Sequence, residues 1–488
     1  MASYDFDMGI IGGGAAGLTV AAGSGQLGAR TLLVEREPSL GGDCLHYGCV
    51  PSKALIASAS LYHRMGHPER LGLPPVDLPP VDFVRIAARI REVQAVIQRH
   101  DSVERFCGLG VRVEFGEAHF IDDHVVDVGG RRFSARSWLV ATGSSAAPPP
   151  FPGADVVPFL TNREIFFLDA LPASMIVLGG GPIACELAQA FCRLGSNVRI
   201  VQRSPQLLSR EDADMADIVR STLISEGVEC HLGVTVREVR RVGAGVEVTI
   251  VDAQGREQPL AADALFVALG RSANVEGLGL DHAGVTHDRR GVPVDSRMRT
   301  SQPHIYAAGD VTGHHQFTHA AGYEGGIVVS NAIFRIPRRA DYAHLPWCTY
   351  TRPEFASIGL NEKRAAAQGL DVEVIIEDFA TNDRAIAEDE ALGRIKLLLH
   401  RGRPVGVQIV GPSAGDLIAE WVAIQNGGVR LSTLAGAVHP YPTFAEINKR
   451  VAGSYLGPRI FSDKVRRTLK LFFNYKGNAC TLGKAVDE

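Results

Sequence analysis

The chain has 488 residues, a hydrophobic fraction of 45% and 53 glycines, more than one hydrophobic core can organise and suited to an α/β enzyme with many strand-to-helix turns. Its formal net charge of -4 argues against a nucleic-acid binder, and eight cysteines are too sparse for a secreted disulfide scaffold. No apolar run is long enough to span a bilayer, and Met1 to Asp7 shows no basic, apolar leader pattern, so a cytoplasmic location is expected.

Met8 to Ile11 reads as a short apolar strand. It is followed by Gly12-Gly13-Gly14-Ala15-Ala16-Gly17, an Ala-rich helix, and a second strand, Thr31 to Val34, that ends at Glu35. This is a dinucleotide fingerprint in its required context. Gly12 makes the turn, Gly14 lets the backbone approach a pyrophosphate, Gly17 allows helix to pack on strand, and Glu35 is placed to accept from a ribose hydroxyl.

The stretch from Gly41 to Lys53, with Gly42 before Cys44 and Gly48 before Cys49, comes next. Two cysteines five positions apart ahead of Pro51-Ser52-Lys53 can bring both sulfurs onto the first turn of a helix and form an easily reduced disulfide. A helix N-terminus and Lys53 would favour a thiolate there. The alternative is two packing cysteines or half a zinc site, but no second close Cys/Cys or Cys/His cluster follows, so no metal site is expected. A dithiol passes electrons in pairs and a flavin can exchange them with a thiolate, which makes FAD the expected occupant of the first nucleotide site.

Asp82 is expected to cap an amphipathic helix from Phe83 to His100, with Phe83, Ile86, Ile90, Val93 and Ile97 as its packing stripe. A strand-rich meander from Val111 to Phe133 then runs into Trp138 to Gly143, where Thr142 and Gly143 belong with the nucleotide-binding residues. After Pro148-Pro149-Pro150 the pattern repeats: strand Met175 to Leu178, then Gly179, Gly181 and Ala184 as the fingerprint positions, a helix, and strand Val198 to Val201. The acid that marks NAD is replaced by Gln202, and Arg203, with Arg210, is placed to bind a 2′-phosphate; NADPH is favoured, with NADH use left open. A further strand, Ala264 to Val267, leads to Gly270, and Ile305 to Ala308 leads to Gly309-Asp310, a junction that can offer N–H groups to phosphate and a carboxylate to a polyol.

These motifs, in this order from about Asp7 to Ala452, resemble the flavin pyridine-nucleotide disulfide oxidoreductases, the group of dihydrolipoamide dehydrogenase, glutathione reductase and mercuric reductase. The resemblance implies an α/β fold of two Rossmann-like domains, for FAD and NAD(P), plus a C-terminal α+β dimerisation domain. The domains fall at 1–147 with 276–342, at 148–275 and at 343–455, where Tyr350 to Glu354 is similar to a family signature. It implies that Cys49 lies against the flavin as the charge-transfer thiolate, that Cys44 is the interchange thiol, and that Lys53, paired with Glu186, sits near the flavin N5. It also implies a homodimer whose active site is shared between subunits, acting on a small-molecule disulfide or a soft metal ion.

The informative departure lies at His439 to Glu446. Dihydrolipoamide dehydrogenase and glutathione reductase place a histidine directly before Pro-Thr as acid/base, oriented by a glutamate; Glu446 matches that glutamate, but Tyr441 stands for the histidine. A phenol is a poor base at pH 7. Mercuric reductase also has a tyrosine there, and Glu186 to Phe191 and Arg210-Glu211-Asp212 resemble it too, yet its vicinal C-terminal cysteines are reduced here to Cys480. His439, two positions away, is a candidate substitute base, and a structural histidine is at least an equal alternative, since a strand period of two would set it on one face with Tyr441.

In the tail, 456–488, one helix is expected from Pro458 to Tyr475, with an apolar face and a basic remainder. Docking on its own dimer is the first reading and a membrane surface the second. Cys107, Cys185, Cys192, Cys230 and Cys348 are expected to be packing residues. Three functions are carried forward: a mercuric-reductase-like enzyme, a dihydrolipoamide dehydrogenase, and a redox-sensing or membrane-docked flavoprotein with little turnover.

Overall fold

The structure, a computed structural model, describes residues 3–477. The chain is α/β and divides into two compact units, Met1–Phe355 and Ala356–Glu488.

The first unit is organised by a parallel sheet in which β1 (Phe6–Ile11) lies between β2 (Thr31–Glu35) and β6 (Arg131–Val140). Beyond β2 lies β3 (Val111–Phe115), while β4 (Ala118–Phe120) and β5 (Val125–Val128) join β6 as an antiparallel meander. The short strand Ile305–Ala307 pairs with the far edge of β6, so residues three hundred positions from β1 enter the same sheet. Continuous apolar runs are what a sheet covered on both faces requires. Ile10 meets Leu33 on one side and Leu139 on the other, all fully buried.

Helix α1 (Ala15–Gln26) follows β1 across the first glycine turn. Gly12 has φ +107°, and a Cβ there would stand 2.3 Å from the Ala141 carbonyl oxygen. A Cβ on Gly17 would stand 1.8 Å from the Gly12 oxygen, so helix and strand can meet only through glycine.

The redox stretch forms two helices rather than one: Cys44 lies in α2 (Gly42–His46) and Cys49 opens α3 (Cys49–Met65). The break falls at Tyr47 and Gly48, where a Cβ on Gly48 would be 2.9 Å from the Asp43 carbonyl oxygen. Asp82 caps α4 (Phe83–Gln98), its Oδ1 accepting from the Val84 N–H at 3.1 Å, and Phe83, Ala87 and Ile90 form the buried stripe. A short α5 (Val103–Gly108) then returns the chain to β3.

A second parallel sheet carries β8 (Ser174–Leu178) between β9 (Asn197–Gln202) and the strand Ala264–Val267, with α6 (Pro182–Leu194) after its own glycine turn. β10 (Glu229–Leu232) extends it past β9, and β7 (Ser144–Ala146) pairs with Arg271–Ala273 where the chain returns to the first sheet.

The second unit is built on an antiparallel sheet of Glu373–Asp378, Arg394–His400 and Arg403–Gly411. Trp421, on the helix Ala414–Gly427, is fully buried and donates its indole N–H to Asn448 Oδ1 at 2.8 Å. Two expectations are corrected in this unit. His439 to Tyr441 is irregular backbone rather than a strand, so no period of two aligns their side chains. The single tail helix is two, Glu446–Ile460 and Asp463–Phe473, parted at Phe461 and restarted by the Ser462 hydroxyl, which accepts from the Val465 N–H.

Cys185 is buried as a packing residue, but Cys107 is exposed on α5 because the buried side of that short helix is taken by Phe106. Cys480 lies outside the described residues. Among the described residues no helix is long and apolar enough to cross a membrane.

Candidate active site

Three of the sequence-derived nucleotide positions, Gly12, Thr142 and Gly309, come together at the carboxyl ends of β1, β6 and Ile305–Ala307. This is where open α/β sheets bind ligands. A Cβ on Gly14, at the N-terminus of α1, would meet nothing closer than the Gly42 Cα at 3.9 Å. The backbone there is open to a phosphate, and the helix N-terminus favours its charge. Glu35 is buried and fixes the turn, accepting from the Gly13 N–H at 2.6 Å and the Glu37 N–H at 2.8 Å, with lone pairs left for a ribose. Gly42 packs against Gly14, Gly143 follows the end of β6, and the residues present fit an FAD along this edge.

Burial raises the pKa of Asp310 against the hydrogen bond donated by the Ser144 hydroxyl at 2.6 Å and the nearby Arg271 guanidinium. Arg271 binds both the Ser144 hydroxyl and carbonyl at 2.7 Å and reaches Asp43 Oδ2 at 3.1 Å. Asp43 stands directly before Cys44, and its Oδ1 accepts from Asn162 at 3.0 Å. Arg271 therefore ties the start of the cysteine helix to the Gly309-Asp310 turn. That turn is itself held by buried Glu324, which accepts from the Gly309 N–H at 2.6 Å and the Tyr342 hydroxyl at 2.7 Å.

The two thiols of Cys44 and Cys49 share a hydrogen bond and divide their acidity unequally. Cys49 is pushed down to about 6, first by the hydrogen bond from Cys44, then by Thr318 and Lys53, against burial and Glu186. Cys44, as the donor beside that anion and partly buried, is pushed far up. The Thr318 hydroxyl lies 3.3 Å from Cys49 Sγ.

One turn along α3, Lys53 Nζ reaches Glu186 Oε2 at 2.8 Å; the lysine side chain is 36% exposed and the glutamate 6%. The other Glu186 oxygen accepts from the Tyr350 N–H at 2.9 Å, and Lys53 Nζ stands 4.2 Å from the Tyr350 ring centroid. Lys53 is thus held between a buried carboxylate and an aromatic face, a cation site with an exposed end.

At the second fingerprint, Gly179 has φ +116°, a Cβ on Gly181 would meet nothing within 4 Å, and Ala184 is fully buried beneath the turn. Gly270 follows Ala264–Val267 at the same sheet end. The Gln202 side chain lies under Gly180 and accepts from the Arg203 N–H at 3.1 Å, leaving exposed Arg203 at the rim. These residues fit a nicotinamide dinucleotide.

In the second unit Tyr441 is 70% exposed and donates its hydroxyl to Asp383 Oδ2 at 2.9 Å, which raises its pKa. Glu446 does not reach that phenol; its Oε2 accepts from the Thr443 N–H at 3.4 Å. The His439 side chain is 10% exposed, with Nε2 3.1 Å from Glu420 and Nδ1 buried without a protein partner. The structure thus gives Tyr441 and His439 different carboxylates and different degrees of burial.

Thr318, Ser144, Arg271, Asp43 and Glu324 were not singled out by sequence. Asp43 lies inside the stretch from Gly41 to Lys53 and Arg271 directly follows Gly270, so a charge beside a cysteine or a nucleotide turn is the available signal. For Thr318, 269 positions from Cys49, there was none.

Comparison with known proteins fixes the class. The model of the pyridine nucleotide-disulphide oxidoreductases matches residues 6–325, and that of their dimerisation domain matches 345–452. The chain is 34% identical to a mercuric reductase of Staphylococcus aureus over 91% of its own length and 81% of the relative's. It is also 34% identical to a dihydrolipoyl dehydrogenase of Bacillus subtilis strain 168, over 90% and 96%. Among solved structures it superposes on the Cu(II) complex of the HOCl-induced flavoprotein disulfide reductase RclA from Escherichia coli with a TM-score of 0.83 and 27% identity, covering 93% of this chain and all of that one. The chain belongs to the class I pyridine nucleotide-disulfide oxidoreductases, FAD-dependent enzymes with NAD(P)H as electron donor.

Proposed function

We propose that this chain is an NADPH-dependent reductase of soft, thiol-seeking metal ions, acting in the cytoplasm as a homodimer through the Cys44–Cys49 pair. The observation that carries this reading is Tyr441. A phenol bound to Asp383, with its pKa raised, cannot serve near neutral pH as the base that dithiol oxidation needs, whereas a soft metal ion needs no proton removed by a base.

FAD, when bound along the Gly14 to Gly42 edge, supplies hydride acceptance from the nicotinamide and electron-pair exchange with sulfur. Gln202 and Arg203 select the 2′-phosphate of NADPH. Lys53, fixed by Glu186, holds positive charge beside Cys49. Cys49 is then the thiolate of the reduced pair, and Cys44 keeps the proton. A divalent ion takes both sulfurs as ligands, releasing the Cys44 proton. Two electrons reduce the ion as the disulfide forms again, so with Hg(II) the balance is NADPH + Hg²⁺ to NADP⁺ + H⁺ + Hg⁰.

A second reading, dihydrolipoamide oxidation with NAD, is favoured by the His439–Glu420 pair, a nearly buried imidazole beside a carboxylate. Anaerobic reduction with NADPH followed by rapid mixing with Hg(II), Cu(II), oxidised glutathione or lipoamide separates the two. Fast reoxidation by a metal ion and not by lipoamide is expected. Fast lipoamide turnover that is lost in His439→Ala would replace the first reading with the second.

A further inference from the structure

The match to the family's dimerisation domain ends at residue 452, and the helix Asp463–Phe473 lies beyond it. It has no buried residue, although Val465, Leu469, Phe472 and Phe473 fall within one sector of about 100° at 100° per residue. Phe472 and Phe473 are 76% and 63% exposed, exposed Tyr475 stacks with Phe473, and Phe461 just before the helix is exposed as well. An 11-residue helix whose apolar face buries no residue is marginal in water, so this sequence specifies a surface to lie on.

Charge indicates which surface. Lys464 and Arg466 border the apolar sector on opposite sides, and Arg467 and Lys470 lie behind it. The one acid, Asp463, pairs with Arg466 at 3.6 Å. Twofold pairing with the same helix of a second copy would bring like charges together. An anionic lipid surface meets both halves of the pattern: aromatic and aliphatic side chains enter the headgroup boundary while flanking cations reach phosphate.

We infer that Asp463–Phe473 docks the enzyme on anionic bilayers, placing electron transfer at a membrane surface. The test uses the full-length, flavin-loaded protein in sedimentation with phosphatidylcholine vesicles with and without phosphatidylglycerol. Binding is expected only with the anionic lipid. Lys464→Glu/Arg466→Glu should weaken it on the order of 30-fold or more, from roughly a fivefold effect per cationic contact. Phe472→Ser/Phe473→Ser should abolish it, and both variants should keep NADPH oxidation in solution. No binding to anionic vesicles, or binding equal in both variants and wild type, overturns the inference. So does a change of oligomeric state in Phe472→Ser/Phe473→Ser by light scattering, which would assign the helix to a second copy.

Discussion

Replacing Thr318 by valine tests the site's electrostatics without touching either cysteine. The Thr318 hydroxyl is 3.3 Å from Cys49 Sγ, and valine keeps the shape but removes the donor. A hydrogen bond to a charged acceptor contributes about 1.5–3 kcal/mol, and one pKa unit corresponds to about 1.4 kcal/mol. The low end applies at a long contact to sulfur, so the Cys49 pKa should rise by roughly one unit, from about 6 towards the ordinary thiol value. At pH 6.5 the thiolate fraction would fall from about three quarters to about one quarter. The sign is fixed: stabilising the anion lowers the pKa, so removing the donor raises it, and thiolate reactivity is lost as pH falls through the new value.

The assay is iodoacetamide alkylation of dithiol-reduced protein across pH, with each modified cysteine located by mass spectrometry. Wild-type Cys49 should show a midpoint near 6 with Cys44 silent until far higher pH. An unchanged Cys49 midpoint in Thr318→Val, or Cys44 titrating first in the wild type, would refute the reasoning.

The Lys53–Glu186 pair predicts opposite effects on the same titration: Lys53→Met should raise the Cys49 midpoint and Glu186→Gln lower it, each by less than a unit because the lysine is partly exposed. Arg271→Ala leaves Asp43 and Asp310 without their shared cation and should lower unfolding free energy by about 2–3 kcal/mol in denaturant titration, with Arg271→Lys recovering only part because the fork is lost. Gln202→Glu should raise KM for NADPH on the order of tenfold or more while improving NADH, read from steady-state kinetics with each nucleotide; equal KM values for NADPH before and after would remove Gln202 from the 2′-phosphate site.

What could be read from the sequence was local. Both glycine turns, the strands on either side of them and the cap at Asp82 are set by neighbours within a few residues, and each formed where periodicity and turn chemistry placed it. The split of the cysteine helix depends on Gly48 packing against the Asp43 carbonyl, a contact a spacing rule does not contain. The apolar period of the tail runs through Phe461 and predicts one helix, while Ser462 restarts the backbone ladder. A strand period aligns His439 with Tyr441, but the stretch holds two prolines, Pro440 and Pro442, and proline cannot donate to a ladder.

Contacts between distant segments account for the rest, and they give the cysteine pair its direction. Cys49 faces Thr318, 269 positions away, and Lys53, which Glu186 holds from α6, the helix that follows the second glycine turn. Asp43, the charge nearest Cys44 in sequence, is instead engaged by Arg271 and Asn162, so it anchors the helix. Both nucleotide-binding halves therefore contribute to one asymmetric dithiol: Glu186 sets the cation beside the thiolate, and Arg271 fixes the helix that carries the thiol. A substitution at either anchor acts on sulfur without touching it, which is why Glu186→Gln should move the Cys49 titration while Arg271→Ala, acting on the helix, should show first in stability.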